Sequence, residues 1–243
     1  MSLLASLSTD DTIKNETDSV GSNLLESGCY PVTIQTAYIG KSDGGAISLN
    51  CAFKTDTGKE FKQQFWMTSG TAKGGKNYYT DKNGDKAYLP GFLMANSLSL
   101  LTLGKEISAL DTETKVIKAY NKDAKTEMPT QVEMVMELLG TQIIAGVVKQ
   151  TVDKTAKADD GSYQPTGETR DENEIDKFFR AKDGMTTAEI REQYTEAKFI
   201  ETWKTKWTGK TKMKSKGASA NAGTPGMPKA ASAAKKPAVS LFA

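Results

Sequence analysis

Cys29–Gly40 reads CYPVTIQTAYIG and Ala46–Lys54 reads AISLNCAFK, and these two runs decide the fold. In the first, Tyr30, Val32 and Ile34 fall on one face; in the second, Ile47, Leu49, Cys51 and Phe53 point one way. An apolar period of two is the mark of a half-buried strand. Lys41–Gly45 (KSDGG) between them has the composition of a turn, so the pair forms a hairpin. Thr55–Gly58 (TDTG) is the next turn and Glu60–Thr68 (EFKQQFWMT) a third strand. Three strands joined by short turns make a meander, the usual opening of a small barrel.

Working outward, Ser69–Gly91 carries no clear periodicity and reads as a loop. Pro90–Leu103 is apolar at helical spacing, with Gly104 as its stop. Lys115–Tyr120 suits a short strand, and Pro129–Leu139 a helix capped by Thr130 and stopped at Gly140. Thr141–Val152 (TQIIAGVVKQTV) is a strong strand, residues 153–173 a polar excursion, and Glu174–Arg180 the returning strand. Thr186–Trp207 is expected as one helix, capped by Thr187, with Ile190, Tyr194, Ala197, Ile200 and Trp203 as its stripe. Residues 1–27 form a polar leader. Beyond Gly209 the chain is Lys, Ala, Gly, Ser and Pro, a composition expected to be disordered, up to an apolar end at Val239–Ala243. The expected class is α+β, mainly β: a domain over 28–208 built on a barrel of about five strands with added helices, and a basic tail over 209–243.

Charge is unevenly spread. Nine of the 32 basic residues lie in Lys204–Ala243, which contains no Asp or Glu; residues 1–203 are left with 23 against 30 acids, a net of −7. A basic arm on an acidic body suits a polyanion, an anionic membrane surface or the body itself as its partner. There is no histidine, and the only cysteines are Cys29 and Cys51. Histidine-based acid–base catalysis, Ser-His and Cys-His nucleophiles and structural zinc sites are thereby excluded. Both cysteines sit in strand-like runs and are expected as reduced thiols. The first residues have no basic group and too short an apolar run for export, and no stretch approaches the ~20 apolar residues of a membrane helix. A soluble intracellular protein without cofactors is expected.

The loop holds the richest chemistry. Between Trp66 and Phe92 it mixes Lys73, Lys76, Lys82 and Lys86 with Trp66, Tyr78, Tyr79, Tyr88 and Phe92. Lysines that follow phosphates and aromatic faces that stack on bases, at ~1–3 kcal/mol each, are what a single-strand binder needs. The plainer alternative is that the aromatics turn inward and cap the barrel, above all Trp66, Tyr88 and Phe92. Tyr78 and Tyr79 are adjacent, so in extended chain one of them faces solvent. Gly70–Lys76 has phosphate-loop spacing, yet Asn77 stands where that motif needs Ser or Thr, and no helix follows. Asp171, Glu172, Glu174 and Asp176 invite comparison with a metal-dependent nuclease; a solvated strand edge explains them more simply. Trp203 and Trp207, four residues apart, are expected to pack on the barrel. Lys210, Lys212, Lys214 and Lys216 suit a mobile counter-charge for phosphates.

Together these segments resemble single-stranded-DNA-binding proteins of tailed bacteriophages. The likeness rests on FWMTSGTAKGGKNYY (65–79), YLPGF (88–92), GETRDENEIDK (167–177) and the closing SLFA. It implies an OB-like five-stranded barrel, sequence-independent binding and protection of single-stranded DNA in phage replication or recombination, and the cytoplasm of an infected bacterium. Many such proteins end in an acidic tail; this one is basic, so inhibition by an acidic tail is not available to it. Leu241 and Phe242 in the apolar terminus are the candidate contacts for replication or recombination proteins. The expected function is non-enzymatic, and the alternative is a scaffolding protein whose arm touches DNA.

Overall fold

The computed structural model describes residues 24–121, 126–157 and 163–215, and over these the chain is mainly β. β1 (Gly28–Lys41), β2 (Ile47–Thr55) and β3 (Glu60–Trp66) form the antiparallel meander read from the sequence. Val32 and Ile34 of β1, Leu49, Cys51 and Phe53 of β2 and Phe65 of β3 are buried, while Ile47 at the start of β2 is exposed.

The stretch after β3 has more structure than a loop. A single 3-10 turn, Thr71–Lys73, is followed by a small hairpin of β4 (Tyr78–Thr80) and β5 (Lys86–Tyr88). Helix α1 (Pro90–Leu103) has Pro90 in its first turn, where a missing N–H costs nothing, and ends at Gly104 with φ 71°.

The segment 129–139 corrects the sequence reading. Instead of a helix, β6 (Glu113–Asn121) and β7 (Thr126–Met134) form a hairpin, and only a 3-10 turn at Met136–Leu138 follows before Gly140, φ 75°. Non-local pairing overrides the local pattern: Met134 and Glu133 pair with Tyr38 and Ile39 of β1, and Val135 N–H donates to the Ala37 carbonyl. The polar excursion at 153–173 is strand at 153–157 and 163–173, continuing the hairpin read from the sequence. β8 (Gln142–Lys157) and β9 (Tyr163–Arg180) run on past the sheet as a two-stranded ribbon exposed on both faces, which explains its polarity.

The long helix expected at 186–207 is two. α2 (Thr187–Arg191) is capped by Thr186, one residue before the expected cap, and α3 (Phe199–Trp207) follows after Gln193, whose φ is 58°. The buried Glu189 carboxylate holds both together. One oxygen accepts from the Thr186 N–H and hydroxyl, the other from the N–H groups of Lys198 and Phe199 that open α3. Tyr194 therefore leaves the apolar stripe and is exposed, whereas Ile200 and Trp203 stay buried. Past Gly209 the chain docks instead of leaving: β10 (Thr211–Met213) pairs parallel to β8 at Lys149–Thr151. Order also begins before β1. Leu25 is in the core, its backbone exchanging two hydrogen bonds with the Asn173 amide.

The strand order around the main sheet is β9-β8-β1-β2-β3, with β7 and β10 extending the free stretches of β1 and β8. The sheet does not close into a barrel. β3 and β9, which run parallel, are joined by no ladder; a hydrogen bond from Ile175 N–H to Gln63 Oε1 (3.3 Å) and the Phe65–Phe178 ring contact (5.8 Å) bridge the seam. α1 packs against both edges.

The concave core gathers Val32, Ile34, Leu49, Phe53, Phe65, Leu98, Val147 and Phe178, and a second cluster of Val148, Phe179, Ile200 and Trp203 lies behind β8. Both faces of β8 are thus covered, which is why 141–152 reads as a continuous apolar run. Gly146 makes room for Trp203, whose ring would lie 3.0 Å from a Cβ there. Cys51 faces the first cluster and Cys29 packs on the second; both are free, and burial pushes their thiols up to about 12 and about 11. Among the described residues no helix is long and apolar enough to cross a membrane.

Candidate nucleic-acid interface

At the seam between β3 and β9 the sheet edge opens into a cleft of about 880 Å³. Trp66 sits at its edge because β3 alternates. Phe61, Gln63 and Phe65 turn toward the core, so Gln64 and Trp66 turn out, and Trp66 is 42% exposed. Behind Trp66 lie Ser48 of β2 and Gly40 of β1, in register. The Gln64 amide donates to Ser48 Oγ at 3.0 Å and the Asn50 amide at 3.3 Å, so the buried Ser48 hydroxyl ties the two amides into a polar patch beside the indole. A Cβ on Gly40 would meet Ser48 Oγ at 2.8 Å, so only glycine leaves that patch undisturbed.

The loop folds over this edge through backbone bonds. Thr71 N–H donates to the Gly44 carbonyl (2.7 Å), tying the loop to the β1–β2 turn. Ser69 N–H donates to the Lys76 carbonyl (2.8 Å), and Lys76 N–H donates to Ser69 Oγ (3.0 Å). Gly74 and Gly75, with φ of 84° and 61°, make the reversal between them. No helix follows Lys76, so the phosphate-loop spacing has no helix N-terminus behind it. Leu89 N–H donates to Asn77 O (2.9 Å), which closes the base of the β4–β5 hairpin, and Asp81 Oδ1 accepts from the N–H groups of Asn83 and Asp85 at its tip.

The expected site residues separate into groups. Trp66, Lys73, Lys76, Tyr78 and Tyr79 converge on the cleft. Tyr79 is 48% exposed and Tyr78 half-buried, as the alternation of adjacent tyrosines requires. Lys76 and Lys86 place their ammonium groups 5.5 and 5.3 Å from the Tyr78 centroid, so this ring carries charge on its faces. Tyr88 and Phe92 form their own ring pair at 5.1 Å away from the cleft, with Phe92 packed on the core and Tyr88 exposed. Lys82 occupies the exposed hairpin tip.

The lysines of the arm are not free along their whole length, which corrects the expectation of a mobile segment from Gly209. Lys214 Nζ lies 3.5 Å from Glu174, which lines the cleft. Lys212 lies over the Trp207 ring at 5.7 Å, and Lys210 Nζ donates to the Thr205 carbonyl. Lys216, Leu241 and Phe242 lie outside the described residues.

Each acid of the 171–176 run has its own partner. Thr151 Oγ1 donates to Asp171 (2.6 Å), the Gln150 amide to Glu172 (3.0 Å), and the Trp203 indole N–H to Asp176 (2.7 Å). A β-bulge opposite Gly146 and Val147 lets both Ile175 and Phe178 face the core although they are three apart. Among the described residues no group of three or more His, Cys, Asp or Glu side chains is placed to hold a metal.

The amides of Asn50 and Gln64, joined by the buried Ser48 hydroxyl, were not anticipated from the sequence, although the alternation that buries Leu49, Cys51 and Phe65 turns these two side chains away from the core. No protein-family model and no curated protein matches the chain.

Proposed function

We propose that this protein binds single-stranded DNA without catalysis and with little regard to base sequence. The observation that carries the reading is the cleft itself: an exposed indole and tyrosine, Trp66 and Tyr79, converge with Lys73 and Lys76 at one sheet edge. Aromatic faces there stack on bases and lysines neutralise phosphates, a combination indifferent to base identity.

Two further observations support it. The order β9-β8-β1-β2-β3, with α1 entering between β3 and β8, follows the strand succession of an OB-type barrel opened along its β3–β9 seam. In that architecture the outer face of the second and third strands is the usual oligonucleotide surface, and Trp66, Gln64 and Asn50 stand there. The resemblance of 65–79 and 88–92 to phage single-stranded-DNA-binding proteins points the same way. It brings with it a role in phage replication or recombination within the infected cell, and contacts to replication proteins through Leu241 and Phe242.

The test is tryptophan fluorescence on adding oligothymidine. Stacking on Trp66 quenches emission, and with an oligothymidine of about 8 nucleotides, within the ~4–16 that one OB-type domain covers, the quenching is largely lost in Trp66→Phe, because Trp203 is buried and Trp207 lies outside the cleft; unchanged emission in the wild type under conditions of saturating DNA would refute stacking in the cleft. A second reading, a scaffolding protein, has one observation in its favour. The β6–β7 and β8–β9 ribbons project with Val116 and Tyr163 exposed, as surfaces for protein contact would. Strand preference separates the two, since a scaffold with a basic arm does not distinguish single strands from duplex.

A further inference from the structure

A second concentration of lysines and aromatic rings lies behind β9, on the α2–α3 side of the molecule. Lys177 Nζ lies 5.5 Å from the Phe199 centroid and Lys198 Nζ 5.9 Å from that of Tyr194. Lys206 and Lys212 lie 5.0 and 5.7 Å from that of Trp207. Four lysines thus gather around three aromatic rings on one surface.

The charges there are available. Among the described residues none of Lys177, Lys198, Lys206 and Lys212 forms an ion pair with a carboxylate. Of the nearby acids one is ion-paired and the others are held by neutral donors, so the lysines outnumber the carboxylates that face them only along the Trp207 end of the surface. Glu189 accepts from the N–H groups that open α3, Glu201 pairs with Lys204, Asp176 accepts from the Trp203 indole, and Glu192 accepts from the Tyr194 hydroxyl, which leaves the ring face of Tyr194 open. The rings are available too. Tyr194 and Phe199 are exposed, and a hollow of about 330 Å³ opens between Lys177, Tyr194, Lys198 and Phe199. Trp203 and Ile200 hold α3 on the sheet, so packing does not require the outer rings to carry lysines.

This surface is continuous with the cleft. On extended β10, Lys212 reaches Trp207, and two residues on Lys214 reaches Glu174 on the cleft wall. We propose that the stripe Lys212–Trp207–Lys206–Phe199–Lys177–Tyr194–Lys198 is a second track for the same single strand of nucleic acid, which passes from the cleft across β10 onto α3. The inference rests on the reading of the cleft and adds to it a longer footprint, with two stacking stations on one domain.

The test uses full-length protein carrying Lys177→Gln, Tyr194→Ala, Lys198→Gln and Lys206→Gln together, all at exposed or half-buried positions. Binding is measured to oligothymidines of about 8 and about 30 nucleotides, chosen around the ~4–16 nucleotides that one OB-type domain covers. The expected result is unchanged affinity for the short strand, at least a tenfold loss for the long one, and a shorter occluded length. Lys→Arg at the three lysines with Tyr194 retained restores wild-type behaviour. Equal affinities of variant and wild type for both strands, or an equal loss for both, overturns the proposal. Wild-type protein that binds neither strand overturns this inference and the cleft reading together; wild type that binds with no length-dependent defect in the variant overturns this inference alone.

Discussion

A Cβ placed on Gly91 would lie 2.7 Å from both the amide nitrogen and the carbonyl carbon of Trp66, and nearer still to its carbonyl oxygen. The first turn of α1 thus rests directly on the end of β3, backbone against backbone. That contact fixes where β3 stops and holds the Trp66 ring outward at the cleft edge.

Gly91→Ala is therefore expected to destabilise the fold by about 1–3 kcal/mol, the usual cost of overpacking where neither neighbour is a flexible side chain. Thermal unfolding measures it. An unchanged Tm would show that α1 and β3 tolerate more separation than this contact implies.

Trp66→Ala and Tyr79→Ala separate binding from stability. Both rings are exposed at the cleft, so each change is expected to weaken oligothymidine binding by about 1–3 kcal/mol while leaving Tm nearly unchanged. Phe92→Ala is the contrasting case, because Phe92 packs against the core: it lowers Tm. Calorimetric titration and thermal melts on the three variants check the pattern.

Lys73→Gln and Lys76→Gln test the phosphate contacts. If each lysine neutralises one phosphate of a single strand, each loss reduces the slope of log affinity against log salt by about 0.7. Titrations across a salt series measure the slope. A slope unaffected by both changes would place the phosphates elsewhere.

Glu189 gives the fold an acid-sensitive joint. Burial pushes its carboxyl up, but the N–H groups of Thr186, Phe199 and Lys198 and the Thr186 hydroxyl more than offset this and hold it below its ordinary value of 4.5. A depressed folded value means that the contribution to stability is present above the ordinary value and is lost as pH falls through the lowered one. Glu189→Gln presents an NH2 group to donors on one side and is expected to cost about 1–3 kcal/mol at neutral pH. The loss shrinks below pH 4.5. Denaturant melts of both proteins at neutral and acid pH follow the difference.

How much of this was legible beforehand depends on how local the determinant is. The β1–β2 hairpin was readable because Val32, Ile34, Leu49, Cys51 and Phe53 alternate, and α1 because Pro90 and Gly104 mark its ends. The segment 129–139 was not: Val132, Met134, Val135 and Leu138 suit a helix as well as a strand, and pairing with β6 and β1 decides between them. The break between α2 and α3 depends on a Glu189 side chain that caps a helix nine residues on, beyond the reach of any local pattern. β10 is held by backbone hydrogen bonds to β8 and buries no large apolar side chain, so it left no hydrophobic signal. In the candidate site, composition brought Trp66, Lys73, Lys76, Tyr78 and Tyr79 forward, and the fold gathers these five around one cleft. Separating them from Tyr88 and Phe92 required the hairpin register and the ring contact between those two.

Competition between strands bears most directly on the cleft as a binding site. Full-length protein is bound to a labelled oligothymidine at low and high salt, then challenged with unlabelled single strand or duplex of the same length, alongside the Trp66→Ala, Tyr79→Ala double variant. Displacement by single strand but poorly by duplex, weakening with salt, and a large loss of affinity in the variant are expected. Duplex that competes as well as single strand, or a double variant that binds like the wild type, would remove the cleft from the account and leave the basic arm and projecting ribbons as the functional surface.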